Sequence, residues 1–101
     1  MSWNDVEMKV IRWSEDRGII QNSDAKTQLL KAVSEMGELA DAINKRDRYR
    51  TIDGVGDVLV CLINVCAIEG LDMTKCLESA YNEIKDRTGY LTKEGVFVKD
   101  A

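Results

Sequence analysis

The sequence predicts an all-α protein: four helices followed by a short extended C-terminal tail. Apolar residues recur at intervals of three and four through most of the 101-residue chain, which contains no proline. Only the segment around Val96–Val98, after a glycine, looks extended. With 45% hydrophobic residues, the chain has the size and composition of one domain covering residues 1–101.

The first helix is predicted from about residue 4 to residue 17. Ser2 and Asp5 stand at the spacing of a capping box, and Gly18 is a stop signal. Trp13 belongs to the apolar stripe of this helix. A tryptophan in such a stripe is expected in the core rather than stacked on a nucleotide base.

The second helix is predicted from Ser23 or Asp24 to about Lys45. Its buried stripe is expected to consist of the apolar residues that recur at helical spacing: Leu29, Ala32, Val33, Met36, Leu39, Ala40 and Ile43.

The third helix is predicted to start near Thr51, after the charged stretch KRDRYR. Its segment 58–68 is apolar on nearly every side, which favours burial between neighbours, including a second subunit. Gly54 and Gly56 each cost about 1 kcal/mol relative to alanine inside a helix. We expect Gly56 to be a point of close helix packing.

The fourth helix is predicted to start at Asp72 or Thr74, to continue to about Arg87, and to end at Gly89. The tail TGYLTKEGVFVKDA is expected to form a small hairpin or an arm docked on a neighbour. Four helices of this size bury little surface alone, so we expect a homo-oligomer.

Charge and cysteine usage exclude several classes of protein. A net charge of −4 argues against general binding to nucleic acid or to a membrane surface. Cys61, Cys66 and Cys76 lack CxxC spacing, and the absence of histidine removes His-based catalysis. We interpret them as reduced core residues of a cytoplasmic protein. The N-terminal segment has neither the long apolar run of an anchor nor the pattern of a signal peptide.

Four acidic residues, Glu35, Glu38, Asp53 and Asp57, form two pairs at one-turn spacing on the second and third helices. Carboxylates near apolar surface are costly to bury unpaired, so a cation is expected to neutralise them. Magnesium, with manganese as an alternative, takes such oxygen ligands. The competing interpretation is two ordinary solvated helix faces.

The segments SEMGELADAI and DGVGDVLVCLIN resemble the MazG-like nucleotide pyrophosphohydrolases of the all-α nucleoside triphosphate pyrophosphatase superfamily. That family has a Glu-x-x-Glu pair on one helix and a Glu-x-x-Asp pair on the next. Glu35 and Glu38 match the first pair, and Asp57 matches the final aspartate. The segments WSEDRGI, QLLKAVSEMGEL and YNEIKDRTG look like the short, single-domain bacterial or phage members.

The chain departs from the family pattern at two positions. Gly54 stands where the second pair has glutamate, and the nearest acid is Asp53, one position earlier. Asp53 is still almost one turn from Asp57 and shares its face. Ser34 replaces the first residue of a Glu-Glu doublet that members often carry.

Further candidates for substrate binding are Gln28, Lys31, Asn64, Asn82 and Lys85. Asn64 is expected either to bond a ligand or to bond another helix. Lys31 is expected either to meet a phosphate or to be solvated. Asn82 and Lys85 resemble the phosphate-contacting end of the family, although dipole compensation alone also favours a basic helix end.

The resemblance implies a four-helix MazG-like fold that forms a helical bundle with partner subunits, as a dimer or a tetramer built of two dimers. It implies magnesium-dependent hydrolysis of a (deoxy)nucleoside triphosphate to the monophosphate and pyrophosphate, which cleans the nucleotide pool. We expect Glu38, or else Glu35, to take the proton from water. The alternatives are a related hydrolase of dUTP or phosphoribosyl-ATP, and a non-catalytic helical interaction protein with a decayed site.

Overall fold

A computed structural model describes all residues, 1–101, and shows five helices and a two-stranded hairpin. The elements in chain order are α1 (Trp3–Asp16), α2 (Ile19–Asn22), α3 (Ala25–Asn44), α4 (Arg48–Glu69), α5 (Met73–Ile84), β1 (Gly89–Leu91) and β2 (Phe97–Lys99). The predicted all-α class is confirmed. The extended tail is the small antiparallel hairpin β1–β2.

Side-chain caps start the four long helices. The predicted capping box of α1 is present: Asp5 N donates to Ser2 Oγ, and Ser2 N donates to Asp5 Oδ2, both at 3.2 Å. The other three long helices begin after an aspartate whose carboxylate accepts from backbone N–H groups of the first turn: Asp24, Asp47 and Asp72.

The structure adds one helical turn to the prediction and corrects two helix boundaries. The turn α2 between the first two long helices was not predicted. The helix α4 starts at Arg48 rather than near Thr51, because Asp47 caps it within the charged stretch that was predicted to precede the helix. The helix α5 ends at Ile84 rather than Arg87, and Gly89 begins β1 instead of ending a helix.

The helices α3 and α4 form an antiparallel pair that contains most of the core. Opposed residues pair in reverse order along the two helices: Asp41 with Arg50, Leu39 with Gly54, and Gln28 with Asn64. The buried apolar residues are few and, apart from Ile63, small: Ala32, Ala42, Cys61 and Ile63. The short helix α2 and the longer α1 cover one side of this pair.

The predicted apolar stripe of α3 is mostly exposed in the single chain. Leu29, Val33, Met36 and Ile43 are between 43% and 56% exposed, whereas Ala32 is fully buried. Burial of the whole stripe within the chain was therefore a wrong prediction. The face of α3 that contacts α4 lies beside this stripe and carries Gln28, Ala32 and Ala42. Gln28 accepts a hydrogen bond from Asn64 of α4, which favours this orientation of α3.

Two measures show that the chain exposes more surface than an ordinary monomer. Its accessible surface is 7828 Å², whereas about 5,800 Å² is typical for this mass. The radius of gyration is 16.2 Å, whereas about 13 Å is typical for a compact domain of this length. The helix α5 contributes to this excess, since all but its first residue are exposed.

The helix α4 is long and apolar enough to cross a membrane by length and composition alone. A core helix of a soluble protein has the same composition. The helix carries Asp57 and the buried Asn64 on the side that packs on α3. Polar groups placed in this way are typical of a helix packed among protein neighbours.

The cysteines differ in exposure. All three are free thiols; Cys61 is buried and Cys66 half-buried, but Cys76 is exposed, so its predicted place in the core is wrong. Burial, followed by the neighbouring Cys76, raises the pKa of the Cys66 thiol, which therefore stays protonated.

The close packing expected at Gly56 occurs at Gly54 instead. A Cβ on Gly54 would lie 3.1 Å from Leu39 Cδ1 and 3.3 Å from Leu39 Cβ, whereas a Cβ on Gly56 would meet nothing within 4 Å. Gly54 thus permits α3 and α4 to approach. A larger side chain at position 54 would push the two helices apart.

This contrast predicts different effects of the same substitution. Gly56→Ala should raise the free energy of unfolding by about 1 kcal/mol, because alanine lowers the conformational entropy of the unfolded chain. In the folded helix its methyl group would lie in open space. Gly54→Ala should be less stable than Gly56→Ala, since Leu39 must move to admit the methyl group. Urea unfolding of both variants measures the difference, and equal stabilisation would contradict the close approach.

Candidate functional site

The antiparallel pairing of α3 and α4 brings the four predicted acids together along one seam. Glu35 and Glu38 come from α3, and Asp53 and Asp57 come from α4. They line two adjoining cavities, with Asp57 in the wall of both. The sequence predicted an acidic face on each of two helices. In the structure these two faces lie against each other.

The larger cavity has a volume of about 400 Å³ and lies between α1, α2, α3 and α4. Its carboxylate end carries Glu35 and Asp57. Its other end, two helical turns away, carries the amides of Gln28 and Asn64. The remaining lining residues are Trp13, Ile19, Lys31, Val60 and Cys61.

The smaller cavity, of about 50 Å³, is lined by polar groups and by Gly54. Glu38, Asp53 and Asp57 supply three carboxylates, and Arg50 supplies the only cation. Arg50 also contacts Asp41, with its Nη2 3.4 Å from Asp41 Oδ2. Sequence analysis missed Arg50 because the helix was predicted to start after it, near Thr51. The available signal was Asp47, a helix cap that puts Arg50 one turn before Asp53.

Asp57 lies among other carboxylates, with Lys31 and Arg50 as the nearby cations. Burial, followed by the negative charges of Asp53 and Glu35, raises the pKa of the Asp57 carboxyl above its ordinary value of 3.8, although Lys31 opposes the shift. The charged form is therefore disfavoured in the folded chain. A cation placed between these carboxylates would relieve that repulsion.

Asp57→Asn is accordingly expected to stabilise the metal-free chain at neutral pH. A raised carboxyl pKa favours the protonated folded form, so the wild type should gain stability as pH falls through that pKa towards 3.8. The advantage of the variant should thus be present at pH 7 and disappear below about pH 4. Melting temperatures in a chelator from pH 3 to pH 8 measure it.

Asp41→Asn is the matched control with the opposite sign. The hydrogen bond from Lys45, followed by that from Arg50, lowers the pKa of Asp41 despite partial burial. This variant should be less stable than the wild type above pH 4, and the difference should disappear as pH falls further. An Asp57→Asn variant that behaves like Asp41→Asn would contradict the proposed repulsion.

A chain of buried hydrogen bonds forms the amide end of the larger cavity. Ser14 Oγ donates to Asn64 Oδ1 at 2.6 Å, Asn64 Nδ2 donates to Gln28 Oε1 at 3.3 Å, and Gln28 Nε2 donates to Ser23 Oγ at 3.1 Å. Ser14, Gln28 and Asn64 are at most 8% exposed. We call this chain the amide relay.

Asn64 bonds residues of two other helices, which is one of the two alternatives left open for it. It also lines the larger cavity, and its role in substrate binding stays a prediction. Ser14 and Ser23 were missed as members of the amide relay. A serine in the middle of the apolar stripe of α1 was the available signal, since buried hydroxyls require partners.

Lys31 and Trp13 form part of the rim of the larger cavity. Lys31 Nζ lies 3.5 Å from Glu35 Oε1, and its side chain is largely exposed, while that of Glu35 is 16% exposed. Trp13 is 46% exposed, with the Arg17 guanidinium 4.2 Å from its ring centre. The prediction of Trp13 as a core residue was wrong, because α1 turns the indole towards the cavity.

Asn82 and Lys85 lie outside both cavities. They belong to the exposed end of α5, which extends away from the α3–α4 seam. Within one chain they are not brought to the acids. Their role as substrate ligands stays a prediction that would require the α5 of another subunit.

The donor set fits magnesium in its chemistry but is not assembled into a cage. As the side chains stand, no three acidic or cysteine groups converge closely enough to hold an ion among them. Magnesium retains several waters and is usually bound through one or two carboxylates and substrate phosphates, so it does not require such a cage. A cation bound beside Asp57 would favour the charged form of this carboxyl, whose pKa burial and the neighbouring carboxylates raise.

Comparison with known families identifies the chain. Residues 23–92 match the model of the MazG nucleotide pyrophosphohydrolase domain. The chain belongs to the MazG family. The match covers α3, α4 and α5 and includes both cavities' acids, and it agrees with the resemblance predicted from the sequence.

A curated relative of this MazG chain is an uncharacterized 18.2 kDa protein in the rep-hol intergenic region of Haemophilus phage HP1 (strain HP1c1). The two are 31% identical over 52 residues. The alignment covers 52% of this chain and 32% of the relative, so the chain spans about a third of the length of the phage protein. No solved structure matches the chain.

Proposed function

We propose that this chain is a magnesium-dependent nucleoside triphosphate pyrophosphohydrolase that releases the monophosphate and pyrophosphate. The observation that carries the proposal is the meeting of Glu35, Glu38, Asp53 and Asp57 around two adjoining cavities of a MazG domain. The reaction would remove surplus or non-standard nucleotides from a cytoplasmic pool.

The carboxylates on the seam would hold magnesium, or manganese, against the substrate phosphates. Asp57 is central because it faces both cavities, and Asp53 takes the place of the glutamate absent at Gly54. The metal supplies positive charge to the phosphates and acidifies water. Lys31 partly neutralises Glu35. Glu38 has no such ion pair and is exposed, so it is the better candidate for proton transfer.

Glu38 would take the proton from the attacking water, with Glu35 as the alternative base. A general base must be ionised and within reach of that proton, and Glu38 stands at the mouth of the smaller cavity with solvent access. Lys31 would then stabilise charge on the leaving pyrophosphate as the P–O bond breaks. Its exposed ammonium lies at the opening of the larger cavity.

Pyrophosphate release from a panel of ribo- and deoxynucleoside triphosphates, with magnesium and with chelator, tests the function. The products must be the monophosphate and pyrophosphate, and no orthophosphate should form. The panel should include dUTP and phosphoribosyl-ATP, because the acids select phosphate chemistry and not the base.

A non-catalytic interaction protein is the second candidate. Two observations favour it: Gly54 replaces a signature glutamate, and no three acids converge as the side chains stand. For such a protein, magnesium would neither raise the melting temperature nor support pyrophosphate release.

The functional form is proposed to be a homo-oligomer, either a dimer or a tetramer of two dimers. The chain exposes about 2,000 Å² more than an ordinary monomer of its mass. Obligate homodimers bury about 1,000–2,500 Å² per chain, so one partner would account for the excess. The exposed stripe on α3 and an apolar groove of about 650 Å³ between α4 and α5 are the surfaces to be covered.

A further inference from the structure

Two of the three thiols lie on either side of the turn that joins α4 to α5. Cys66 belongs to the last turn of α4 and Cys76 to the first turn of α5, at equal distances along the chain from Leu71. The chain turns at Gly70, whose backbone is left-handed with a φ of 68°, and Asp72 caps the next helix. Both thiols line the apolar groove of about 650 Å³ between α4 and α5. The turn therefore brings two cysteines into one groove.

The two thiols of this groove interact directly but differ in exposure. Burial, followed by the neighbouring Cys76 thiol, raises the pKa of Cys66, which is half-buried. Cys76 is exposed. A reagent in solution would therefore meet Cys76 first, while Cys66 stays protonated behind it at neutral pH. The third thiol, Cys61, is buried and lines the larger cavity instead of the groove.

The helix α5 can adjust its position, because little else holds it. All of its residues except Met73 are exposed, and no other element packs extensively on it. A disulfide requires Cα atoms about 4.4–6.8 Å apart and side chains that point towards each other. A helix that follows a turn and has few packed neighbours can reach that geometry without disturbing the α3–α4 core.

We propose that Cys66 and Cys76 form a redox-active dithiol, which a small disulfide such as glutathione disulfide oxidises to an intrachain bond that fixes α5 on α4. In reducing compartments such bonds are usually transient and redox-sensing rather than structural. The inference goes beyond the proposed function and does not depend on it, because neither thiol lines the two cavities that contain the acids.

The oxidation is a thiol–disulfide exchange in two steps. The Cys76 thiolate attacks one sulfur of glutathione disulfide, so that a mixed disulfide forms and one glutathione thiolate leaves. Cys66 then loses its proton to water and attacks the Cys76 sulfur. The Cys66–Cys76 bond forms, and the second glutathione thiolate leaves. The two glutathione thiolates take up the two protons that the cysteines released, so two protein thiols are oxidised and one small disulfide is reduced.

Treatment of the full reduced chain with glutathione disulfide tests the inference. The product should be lighter than the reduced chain by two hydrogen atoms, and after denaturation it should retain one free thiol of the original three. Peptide mapping without reductant should show Cys66 joined to Cys76 of the same chain. Amide hydrogen exchange along α5 should become slower, because a helix held by few contacts opens readily until it is bridged.

Three variants separate the roles of the thiols. Cys66→Ser should accumulate the mixed disulfide, heavier by one glutathionyl group, because Cys76 then has no neighbour that displaces glutathione. Cys76→Ser should react at least about tenfold more slowly than the wild type, since the remaining thiol of the groove is half-buried and protonated. Cys61→Ala is the matched control and should form the bridge as the wild type does.

Three results for the wild type at millimolar glutathione disulfide would overturn the inference: no disulfide, a disulfide that includes Cys61, or one that joins two chains through Cys76. Unchanged hydrogen exchange along α5 in the bridged chain would also overturn it. So would protection of Cys76 from alkylation in the reduced oligomer, because a partner on the groove would then exclude the oxidant. None of these measurements uses a nucleotide, so failure of the proposed function would be seen separately, in the assay of pyrophosphate release.

Discussion

Asp57→Asn should lower kcat/KM for pyrophosphate release by more than about a hundredfold while the chain stays folded. Asp57 faces both cavities, and burial, followed by the charges of Asp53 and Glu35, raises its pKa. Losing its charge should weaken magnesium binding, although the metal-free protein becomes more stable. Opposite changes in stability and activity would identify Asp57 as a functional rather than a structural residue.

Glu38→Gln should lower the rate by about 10²- to 10⁴-fold, with a smaller effect on magnesium affinity. This difference from Asp57→Asn separates a proton acceptor from a metal ligand. Calorimetric titration of magnesium, together with steady-state kinetics, measures both quantities. Glu69→Gln, at an exposed position at the end of α4, makes the same change away from the cavities and should leave turnover unchanged.

Asp53→Asn determines whether the shifted acid replaces the glutamate absent at Gly54. If Asp53 is a ligand, its loss should resemble that of Asp57. Wild-type turnover in this variant would remove Asp53 from the site. Equal rates for the wild type and both the Asp57 and Glu38 variants would reject the carboxylate mechanism altogether.

Val33→Glu should dissociate the oligomer and lower the melting temperature by about 10 °C or more. Val33 is 55% exposed in the single chain and lies in the middle of the α3 stripe, so a partner is expected to bury it. The substitution removes about 1 kcal/mol of apolar burial at the interface per chain, since only about half of Val33 remains to be buried, and it introduces a charge there. Light scattering after size exclusion measures the assembly, and calorimetry measures the melting temperature.

Thr27→Glu is the matched control for Val33→Glu. Thr27 is exposed in the first turn of α3, about 120° around the helix from Val33, and an acid in the first turn of a helix is favourable. This variant should retain the size and stability of the wild type. A wild-type protein that is monomeric at micromolar concentration, with an unchanged melting temperature in Val33→Glu, would reject the α3 stripe as an interface.

Local signals in the sequence determined the helical class and most helix ends of this protein. Capping and periodicity act over one or two turns, so they can be recognised in the sequence without knowledge of the fold. Helix ends were predicted in this way at Ser2 with Asp5, at Gly18 and at Asp72. The acidic pairs were also predictable, since residues three and four apart share a helix face. Asp47 is also a helix cap, but the charged residues on both sides of it made the start of α4 hard to recognise.

Only the tertiary structure decided how those faces combine. The rotation of α3 about its axis buries Gln28 and Ala32 and leaves Val33 exposed, although the apolar pattern alone favoured the stripe that contains Val33. The relay from Ser14 to Asn64 joins residues 50 positions apart, and Gly54 rather than Gly56 meets Leu39. Such choices depend on the summed packing and hydrogen bonding of several helices, which no local spacing encodes.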